Sequence, residues 1–349
     1  MKPLICIPMG DPAGVGPEIA LAAVSDPVLA DTARMLVVGS RHVLERAAAC
    51  LQRDIVLNEV DPRTDGSSVL REGACNYLEC GSLPASFTYG RVDAACGRAA
   101  YDCIVKAVEL ARDGVADALA TTPINKEALK AAGIAYIGHT EILAALTNTQ
   151  DPLTMFQVRE LRVFFLTRHM SLQEACRSVT EERVYRYITR CCGALARLGI
   201  DAPRIAVAGL NPHCGEHGLF GDEEDAFITP AIERARREGF DAHGPKPADS
   251  VFHFALGGAW DCVLSLYHDQ GHIATKMVDF ERTIALTLGL PFLRTSVDHG
   301  TAFDIAGTGT ASAASMVEAV RLAALYAPRF KDTENSRSPG RRQPGNNQP

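Results

Sequence analysis

The chain lacks several features that mark large classes of protein. None of its 349 residues lies in an apolar run near the roughly 20 residues that a membrane-spanning helix needs. The net charge is −7, from 35 Lys and Arg against 42 Asp and Glu, and no dense cationic cluster occurs before the C-terminal tail. A nucleic-acid-binding surface is therefore not indicated. Because Asp11 comes before any signal-type apolar segment, we expect a cytoplasmic protein without membrane or nucleic-acid partners.

Paired cysteines and several catalytic signatures are also missing. The 11 cysteines include no C-x-x-C pair, so disulfide frameworks and zinc ribbons are not expected. The chain has no G-x-S-x-G elbow, no P-loop lysine motif and no H-E-x-x-H helix motif. Serine hydrolases, P-loop ATPases and zincins therefore lose their main sequence evidence.

Short β-branched runs alternate with amphipathic stretches along most of the chain, which predicts an α/β fold with a mostly parallel sheet. The predicted strands are Leu4–Pro8, Met35–Val38, Ala116–Thr121, Leu161–Thr167, Arg204–Leu210, Cys262–Tyr267 and Phe292–Ser296. The predicted helices are Glu18–Ser25, Ala94–Asp113, Leu172–Arg177, Glu181–Leu198 and Phe227–Glu238. From Lys331 onward the composition is polar and rich in Pro and Gly, so we predict a disordered tail over 331–349.

Three histidines, His169, His213 and His268, follow the ends of predicted strands. Ligands of open α/β sheets bind outside the carboxyl ends of strands, so three imidazoles converging there would form a divalent-metal site with open positions. Taken alone, each histidine is better explained as a cap of its own loop, but for the three together the polar turns around His213 and His268 favour the metal site. His217 and His272 lie nearby, and spacing does not separate ligands from their neighbours.

Residues 10–19 occupy the place of a dinucleotide-binding fingerprint between the first strand and the first helix. Their glycine spacing is not G-x-G-x-x-G, and Asp11 would repel a pyrophosphate from the helix N-terminus. A Rossmann fold is therefore not predicted, and a tight turn remains an equal alternative to a ligand loop.

Two further loops that enter helices, residues 121–127 and 138–141, are rich in hydrogen-bond donors. The first loop contains Lys126 and the second contains His139. Each loop is either an ordinary helix cap or a site for a phosphate or carboxylate.

The segment 294–309 alternates glycine, hydroxyl and histidine residues after a predicted strand, a density that a purely structural turn seldom needs. Lys276 and Arg294 add two cations close in sequence to this loop and to the His268 turn. These cations predict an anionic substrate.

Together these segments resemble the 4-hydroxythreonine-4-phosphate dehydrogenase (PdxA) family over about residues 4–326. The matching motifs are MGDPAGVGPE at 9–18, GHTE at 138–141, GLNPH at 209–213, YHDQG at 267–271 and SVDHGTA at 296–302. The resemblance extends to isocitrate and isopropylmalate dehydrogenases and implies a two-lobed α/β/α subunit. One lobe, residues 1–135 with 286–330, would bind NAD, and residues 136–285 would hold metal, substrate and the dimer interface.

The resemblance also implies a set of site residues. His169, His213 and His268 would bind a divalent metal (Zn, Mg or Co), with one of them contributed by the partner subunit of a homodimer. The substrate contacts would be His139, Thr140, Lys276, Arg294 and position 285, where Ala285 replaces the asparagine of the family. The NAD loop would comprise Asp298, His299, Gly300, Thr301, Ala302 and Asp304. Lys276 is the candidate for proton transfer, with Asp249 as a second candidate.

The implied reaction is NAD- and metal-dependent oxidation and decarboxylation of a phosphorylated 3-hydroxy acid. The first expectation is conversion of 4-phosphohydroxy-L-threonine to 3-amino-2-oxopropyl phosphate and CO2 in pyridoxal phosphate biosynthesis. Residues 122–129, 218–224 and 271–273 instead resemble a branch that acts on 4-phospho-D-threonate or erythronate in sugar-acid catabolism. Other relatives oxidise dihydrodiols derived from aromatic acids. A zinc hydrolase and a metal sensor are the rival functions, but a hydrolase leaves the loop at His299 unexplained.

Overall fold

The computed structural model describes residues 1–63, 70–84 and 86–335 as a twelve-stranded sheet covered by helices. The strands are β1 Leu4–Pro8, β2 Arg34–Gly39, β3 Leu57–Glu59, β4 Cys75–Glu79, β5 Ala118–Thr121, β6 Leu153–Val158, β7 Leu161–Phe165, β8 Ile205–Ala208, β9 Ala242–Lys246, β10 Cys262–Ser265, β11 Ile284–Leu288 and β12 Leu293–Val297.

Eleven of the described helices lie between these strands along the chain, and the twelfth follows the last strand. They are α1 Gly16–Val24, α2 Pro27–Thr32, α3 Arg41–Cys50, α4 Ala94–Arg112, α5 Lys126–Ala131, α6 His139–Thr147, α7 Leu172–Arg177, α8 Glu181–Arg197, α9 Thr229–Arg237, α10 Val251–Leu256, α11 His268–Val278 and α12 Ala314–Asn335. A 3₁₀ turn over Pro212–Glu216 and a π-helical turn over Glu224–Ile228 come between β8 and α9. Within the described ranges, no helix combines the length and apolarity required to cross a bilayer.

The sheet has the order β3-β4-β2-β1-β5-β12-β11-β6-β7-β10-β8-β9. Neighbouring strands are parallel except at the β12–β11, β11–β6 and β6–β7 pairs, which are antiparallel. Because of these three reversals, the parallel strands of the two halves run in opposite directions. The prediction of an α/β fold with a mostly parallel, non-Rossmann sheet is confirmed.

The middle of the sheet coincides with the boundary between the two predicted lobes. Residues 1–135 supply β1 to β5 on one side with β12, whereas β6 to β10 lie on the other side with β11. One continuous sheet joins them, since Thr287 of β11 pairs with Arg294 of β12. The division into lobes stays a prediction. Of the predicted disordered tail, the start belongs to α12 and residues 336–349 lie outside the described part.

Local capping signals set several helix starts. The Asp93 carboxylate accepts hydrogen bonds from the N–H groups of Ala95 and Cys96 at the start of α4, at 2.7 and 3.3 Å. Ser171 and Glu174 form a reciprocal capping box at the start of α7. The predicted bounds of α4, α7 and α8 are confirmed to within one residue.

Candidate active site

The floor of the central cavity is formed by β6, β11 and β12 at the middle of the sheet. Phe156 pairs with Ala285, Thr154 with Thr287, and Thr287 with Arg294 across these strands. Residues at alternate positions of a strand share one face, so the five side chains lie on the same side of the sheet. They line a cavity of about 440 Å³, whose walls come from the loops after β5, β7, β10 and β12.

Arg294 provides a buried cation in this floor. Its Nε donates to Thr121 Oγ1 and its Nη1 to Thr287 Oγ1, both at 2.9 Å, and these acceptors are neutral hydroxyls. Burial lowers the pKa of the Arg294 guanidinium to about 9, because water no longer solvates its charge. A buried cation held only by neutral groups is a strong site for an anion.

His139 lies beside Arg294 at the start of α6. Its ring Nε2 is buried and has no hydrogen-bond partner among the residues that the structure describes. Burial, followed by the charge of Arg294, holds the pKa of His139 well below its usual range, so the ring is neutral. Thr140 lines the same wall. The predicted substrate contacts His139, Thr140, Lys276, Ala285 and Arg294 therefore all meet in one cavity.

Two of the three predicted metal ligands lie together in this cavity. His169 follows β7 and His268 begins α11, with their ring centroids 5.7 Å apart. His268 Nδ1 is 2.6 Å from Asp269 Oδ1, a contact that leaves Nε2 free to bind a metal. Burial and then the charge of Arg168 lower the pKa of His169, which favours the neutral, ligating form. The spacing and chemistry of this pair fit one shared divalent ion.

The third predicted ligand, His213, is not brought to this pair within the subunit. It is exposed on the 3₁₀ turn, with its ring centroid 6.3 Å from that of Phe220. In the described part of the chain, no three His, Cys, Asp or Glu side chains form a cluster able to hold a metal. Burial raises the pKa of Cys214 in the same turn to about 11, and the charges of Glu224 and Asp249 add to this shift. Asp249 therefore lies near that turn. Neither His213 nor Asp249 lines the central cavity.

Lys276 and Asp298 form an ion pair where two cavities meet. Lys276 Nζ is 2.8 Å from Asp298 Oδ2, and the ammonium is 5.4 Å from the Phe280 ring centroid. Lys276 lines the central cavity, whereas Asp298 lines both the central cavity and a second cavity of about 290 Å³. This ion pair therefore connects the candidate substrate cavity with its neighbour.

The predicted NAD loop divides between the second cavity and its surroundings. Asp298, His299, Gly300 and Ala302 line the second cavity. The buried Thr301 packs on Gly14 instead, and its carbonyl accepts a hydrogen bond from Val15 N at 3.0 Å. Asp304 is exposed outside the lining.

The motif at residues 9–18 supports this loop from beneath. The buried Glu18 carboxylate accepts hydrogen bonds from Gly307 N at 2.6 Å and Gly309 N at 2.8 Å. A Cβ at Gly14 would lie 2.8 Å from Thr301 Cβ, so only glycine permits the close approach of the two segments. The motif therefore acts here as a structural support for the loop after β12.

Known proteins similar to this chain share its family. The family model described as "Pyridoxal phosphate biosynthetic protein PdxA" matches residues 31–323. The chain belongs to the PdxA family. A relative from Halalkalibacterium halodurans, provisionally named D-threonate 4-phosphate dehydrogenase, is 57% identical over 94% of this chain and 98% of its own length. The resemblance inferred from the sequence motifs is confirmed.

Solved structures related to this PdxA-family chain differ in the names of their activities. The crystal structure of 4-hydroxythreonine-4-phosphate dehydrogenase from Klebsiella pneumoniae matches with a TM-score of 0.86 and 42% identity, covering 94% of this chain and 98% of that chain. A terephthalate 1,2-cis-dihydrodiol dehydrogenase from Burkholderia xenovorans matches with a TM-score of 0.64 and 30% identity, covering 93% of this chain and 98% of that chain. The shared fold thus accompanies more than one named substrate.

Sequence reasoning missed several residues of the cavity in this PdxA-family member. They are Thr154, Phe156, Arg168 and Thr287, whereas the sequence singles out Lys126 and His272 without assigning them to this cavity. The His272 ring stacks on His268 with centroids 3.9 Å apart and lies 4.3 Å from that of Phe156. Burial and then His268 lower the pKa of His272 to about 4, so this ring is neutral. The spacing of His268, His272 and Lys276, four residues apart, could have placed all three on one helix face.

Proposed function

We propose that this PdxA-family chain oxidises the secondary alcohol of a phosphorylated 3-hydroxy acid, with NAD as acceptor and a divalent metal as cofactor. The observation that carries the proposal is the buried Arg294 guanidinium, whose two hydrogen bonds go to neutral hydroxyls. An anionic ligand would supply the missing counter-charge. The histidine pair in the same cavity supports the proposed metal.

Each cavity residue has a place in this reaction. Arg294, His139 and Thr140 hold the phosphate end, because they supply one buried cation and two neutral polar side chains on one wall. A divalent ion at His169 and His268 would supply Lewis acidity at the reacting hydroxyl. NAD bound beside the cavity would supply the hydride acceptor for the alcohol carbon, the hydroxyl proton would pass to a neighbouring base or to water, and the resulting β-keto acid would release CO2.

Lys276 is placed to serve the proton transfers of this reaction. Its Nζ lies in the substrate cavity, and the ion pair with Asp298 orients it at the boundary with the second cavity. It either contacts the substrate carboxylate or donates the proton that replaces CO2. Asp249 is the second candidate for proton transfer, and it requires the assembly described below.

The second cavity is the proposed site of the adenosine half of NAD. It joins the central cavity at Asp298, so a dinucleotide lying there would direct its nicotinamide toward the substrate. Its lining includes the Glu281 carboxylate but no Lys or Arg among the described residues. This charge favours the free ribose of NAD over the 2′-phosphate of NADP.

We further infer a homodimer in which a second copy completes the metal site. Ile273, Met277 and Phe280 form an apolar stripe on and just beyond α11, with exposures of 62%, 81% and 68%. An exposed apolar stripe beside a polar cavity is typical of a protein interface. His213 and Asp249, which lie away from the cavity of their own subunit, would reach the cavity of the partner.

The substrate we place first is 4-phospho-D-threonate, with 4-phosphohydroxy-L-threonine second. The order is supported by the name of the relative at 57% identity and by Ala285, which lines the cavity without the amide of the family asparagine. Dihydrodiols rank lower, since they have no phosphate for Arg294.

The test is NADH formation by the purified enzyme with added Zn, Mg or Co and the two phosphorylated substrates in parallel. We expect 4-phospho-D-threonate to react with the higher kcat/KM. Faster turnover of the amino acid would instead indicate the pyridoxal phosphate pathway. Phosphate ester hydrolysis without NADH binding would contradict the proposal and support a hydrolase.

A further inference from the structure

Glu224 is a buried carboxylate that no step of the proposed reaction uses. It begins the π-helical turn, and its Oε1 accepts hydrogen bonds from Leu210 N and Asn211 N, both at 2.7 Å. Its Oε2 accepts a third from Asn211 Nδ2 at 2.8 Å. Hydrogen bonds to an ionised carboxylate are among the strongest in proteins, so Glu224 anchors the chain directly after β8.

The turn that follows this anchor is backbone-strained. His213, Cys214, Glu216 and His217 have φ angles of +52°, +59°, +46° and +55°, with Gly215 between them at +78°. Residues with a Cβ disfavour the left-handed region, and such residues persist there only where the surrounding structure holds them. Four of them within one turn indicate that outside contacts hold this conformation.

Glu224 lies at the centre of the turn and contacts both of its arms. A Cβ at Gly209 would lie 3.4 Å from Glu224 Oε1, and one at Gly215 would lie 3.1 Å from Oε2. The backbone before and after His213 therefore packs against the same carboxylate. Removal of that carboxylate would free both arms at once.

The held turn presents His213 to solvent beside an exposed aromatic side chain. His213 is exposed, its ring lies 6.3 Å from that of Phe220, and Phe220 and Leu219 are also largely exposed. An exposed imidazole beside an exposed aromatic ring is suited to enter a site on another molecule.

We propose that Glu224 is a positioning residue, which fixes the left-handed turn so that His213 reaches the metal site of a second copy. This inference rests on the proposed function, because that function gives His213 a metal to bind. Glu224 itself touches neither substrate nor metal in this scheme.

The experiment compares Co²⁺ binding by the full-length parent, Glu224→Ala and Glu224→Gln, by competition with a chromophoric chelator and from the cobalt visible spectrum. We expect Glu224→Ala to weaken Co²⁺ binding at least about tenfold and to alter the spectrum, as loss of a supporting residue does at metal sites. Glu224→Gln should weaken it less, since its amide oxygen still accepts from Leu210 and Asn211. NADH affinity should stay unchanged in both.

Glu18→Gln is the matched control, because Glu18 is a buried glutamate that holds two backbone N–H groups in the other half of the sheet. We expect it to weaken NADH binding and to leave Co²⁺ binding unchanged. Thermal unfolding of all three variants measures the purely structural cost of each substitution. If Glu224→Ala does not fold, the Glu224→Gln result decides.

Two results would overturn the inference, and His213→Ala tells them apart. If His213→Ala loses Co²⁺ affinity but the Glu224 variants bind Co²⁺ like the parent and only unfold earlier, Glu224 is merely structural. If His213→Ala binds Co²⁺ and turns over substrate like the parent, the shared metal site of the proposed function fails, and the role of Glu224 fails with it.

Discussion

Two loops in opposite halves of the sheet are held by the same device but are built from different residues. In the half that contains β1, the Glu18 carboxylate accepts hydrogen bonds from Gly307 and Gly309, whose φ angles are +80° and +70°. In the other half, Glu224 holds the turn that carries His213, where the left-handed positions are mostly occupied by residues with side chains.

The difference follows from what each loop has to offer a ligand. At Gly307 and Gly309 the loop after β12 needs only its backbone, which donates to Glu18, so glycine meets the positive φ without strain. In the proposed assembly the turn after β8 supplies the His213 imidazole, which glycine lacks, and the contacts of Glu224 offset the strain of the turn. Under the proposed function, backbone strain is retained where the side chain of His213 is needed and is absent where glycine suffices.

The largest effect should come from His213→Ala, which removes the side chain that the strained turn presents. We expect turnover to fall about a thousandfold or more, because an incomplete metal site loses the Lewis acid of the reaction. His217→Ala, in the same turn, is the matched control and should keep activity within about twofold. Steady-state NADH formation measures both, and undiminished activity of His213→Ala would contradict the assignment.

Arg294→Met should separate function from stability at the centre of the sheet. We expect KM for the phosphorylated substrate to rise about a hundredfold, because a buried charge-assisted contact is lost. Burial lowers the pKa of Arg294 to about 9, so below that pH the folded state bears the cost of a desolvated cation.

The ligand-free Arg294→Met variant should therefore be more stable than the parent at pH 7, by ~1–3 kcal/mol. Arg204→Met, at an exposed arginine paired with Asp261, is the control and should leave KM unchanged. Kinetics and denaturant unfolding measure the two effects. Lower stability together with unchanged KM would show that Arg294 is an ordinary structural residue.

Ala285→Asn should change substrate preference, since the substitution places on the cavity floor the amide that the resemblance to the family predicts there. We expect the ratio of kcat/KM for 4-phosphohydroxy-L-threonine over 4-phospho-D-threonate to rise about tenfold. Ala285→Val adds more volume than Ala285→Asn without an amide and so controls for crowding against Phe156. Equal ratios in the parent and both variants would remove position 285 from substrate selection.

The smallest effect concerns Asp11 in the support beneath the NAD loop. Burial raises the pKa of Asp11 to about 6, and its Oδ2 has no hydrogen-bond partner within the described ranges. A carboxyl whose pKa is raised on folding favours the folded state only while it is protonated, so its contribution is lost as pH rises from about 4 to about 6.

Asp11→Asn should therefore match the parent in stability near pH 4 and exceed it at pH 7, by ~1–3 kcal/mol. The amide oxygen retains the hydrogen bond that Asp11 Oδ1 accepts from Ala13 N. Thermal unfolding across this pH range measures the difference, with exposed Asp31→Asn as control. A difference that does not vary with pH would contradict a titrating Asp11.

Elements with strong local signals could be predicted from the sequence, whereas the cavity floor could not. The missed strands β6 and β11 are central to the site. The β6–β7 hairpin turns at Arg159, with φ +51°, and it lacks the Asn-Gly or Asp-Gly signal of a tight turn. The apolar residues of β11 come only four residues before β12, so the sequence does not show that they form a separate strand.

The burial of Glu18 and Glu224 could not be predicted from the sequence either. Glu18 and Glu224 stand at the starts of helical segments, where an acidic side chain normally faces water and interacts with the helix dipole. Their hydrogen bonds to distant loops depend on tertiary packing. Strand ends did predict that His169 and His268 would lie together, but a ligand supplied by another chain leaves no trace in spacing.

The most direct test of the shared site mixes two inactive variants, His213→Ala and His268→Ala, through unfolding and refolding. If His213 of one copy completes the cavity of the other, each mixed dimer contains one intact site. Random pairing should then restore about a quarter of parent activity. If all three histidines act within one chain, the mixture stays inactive, and the shared metal site is contradicted.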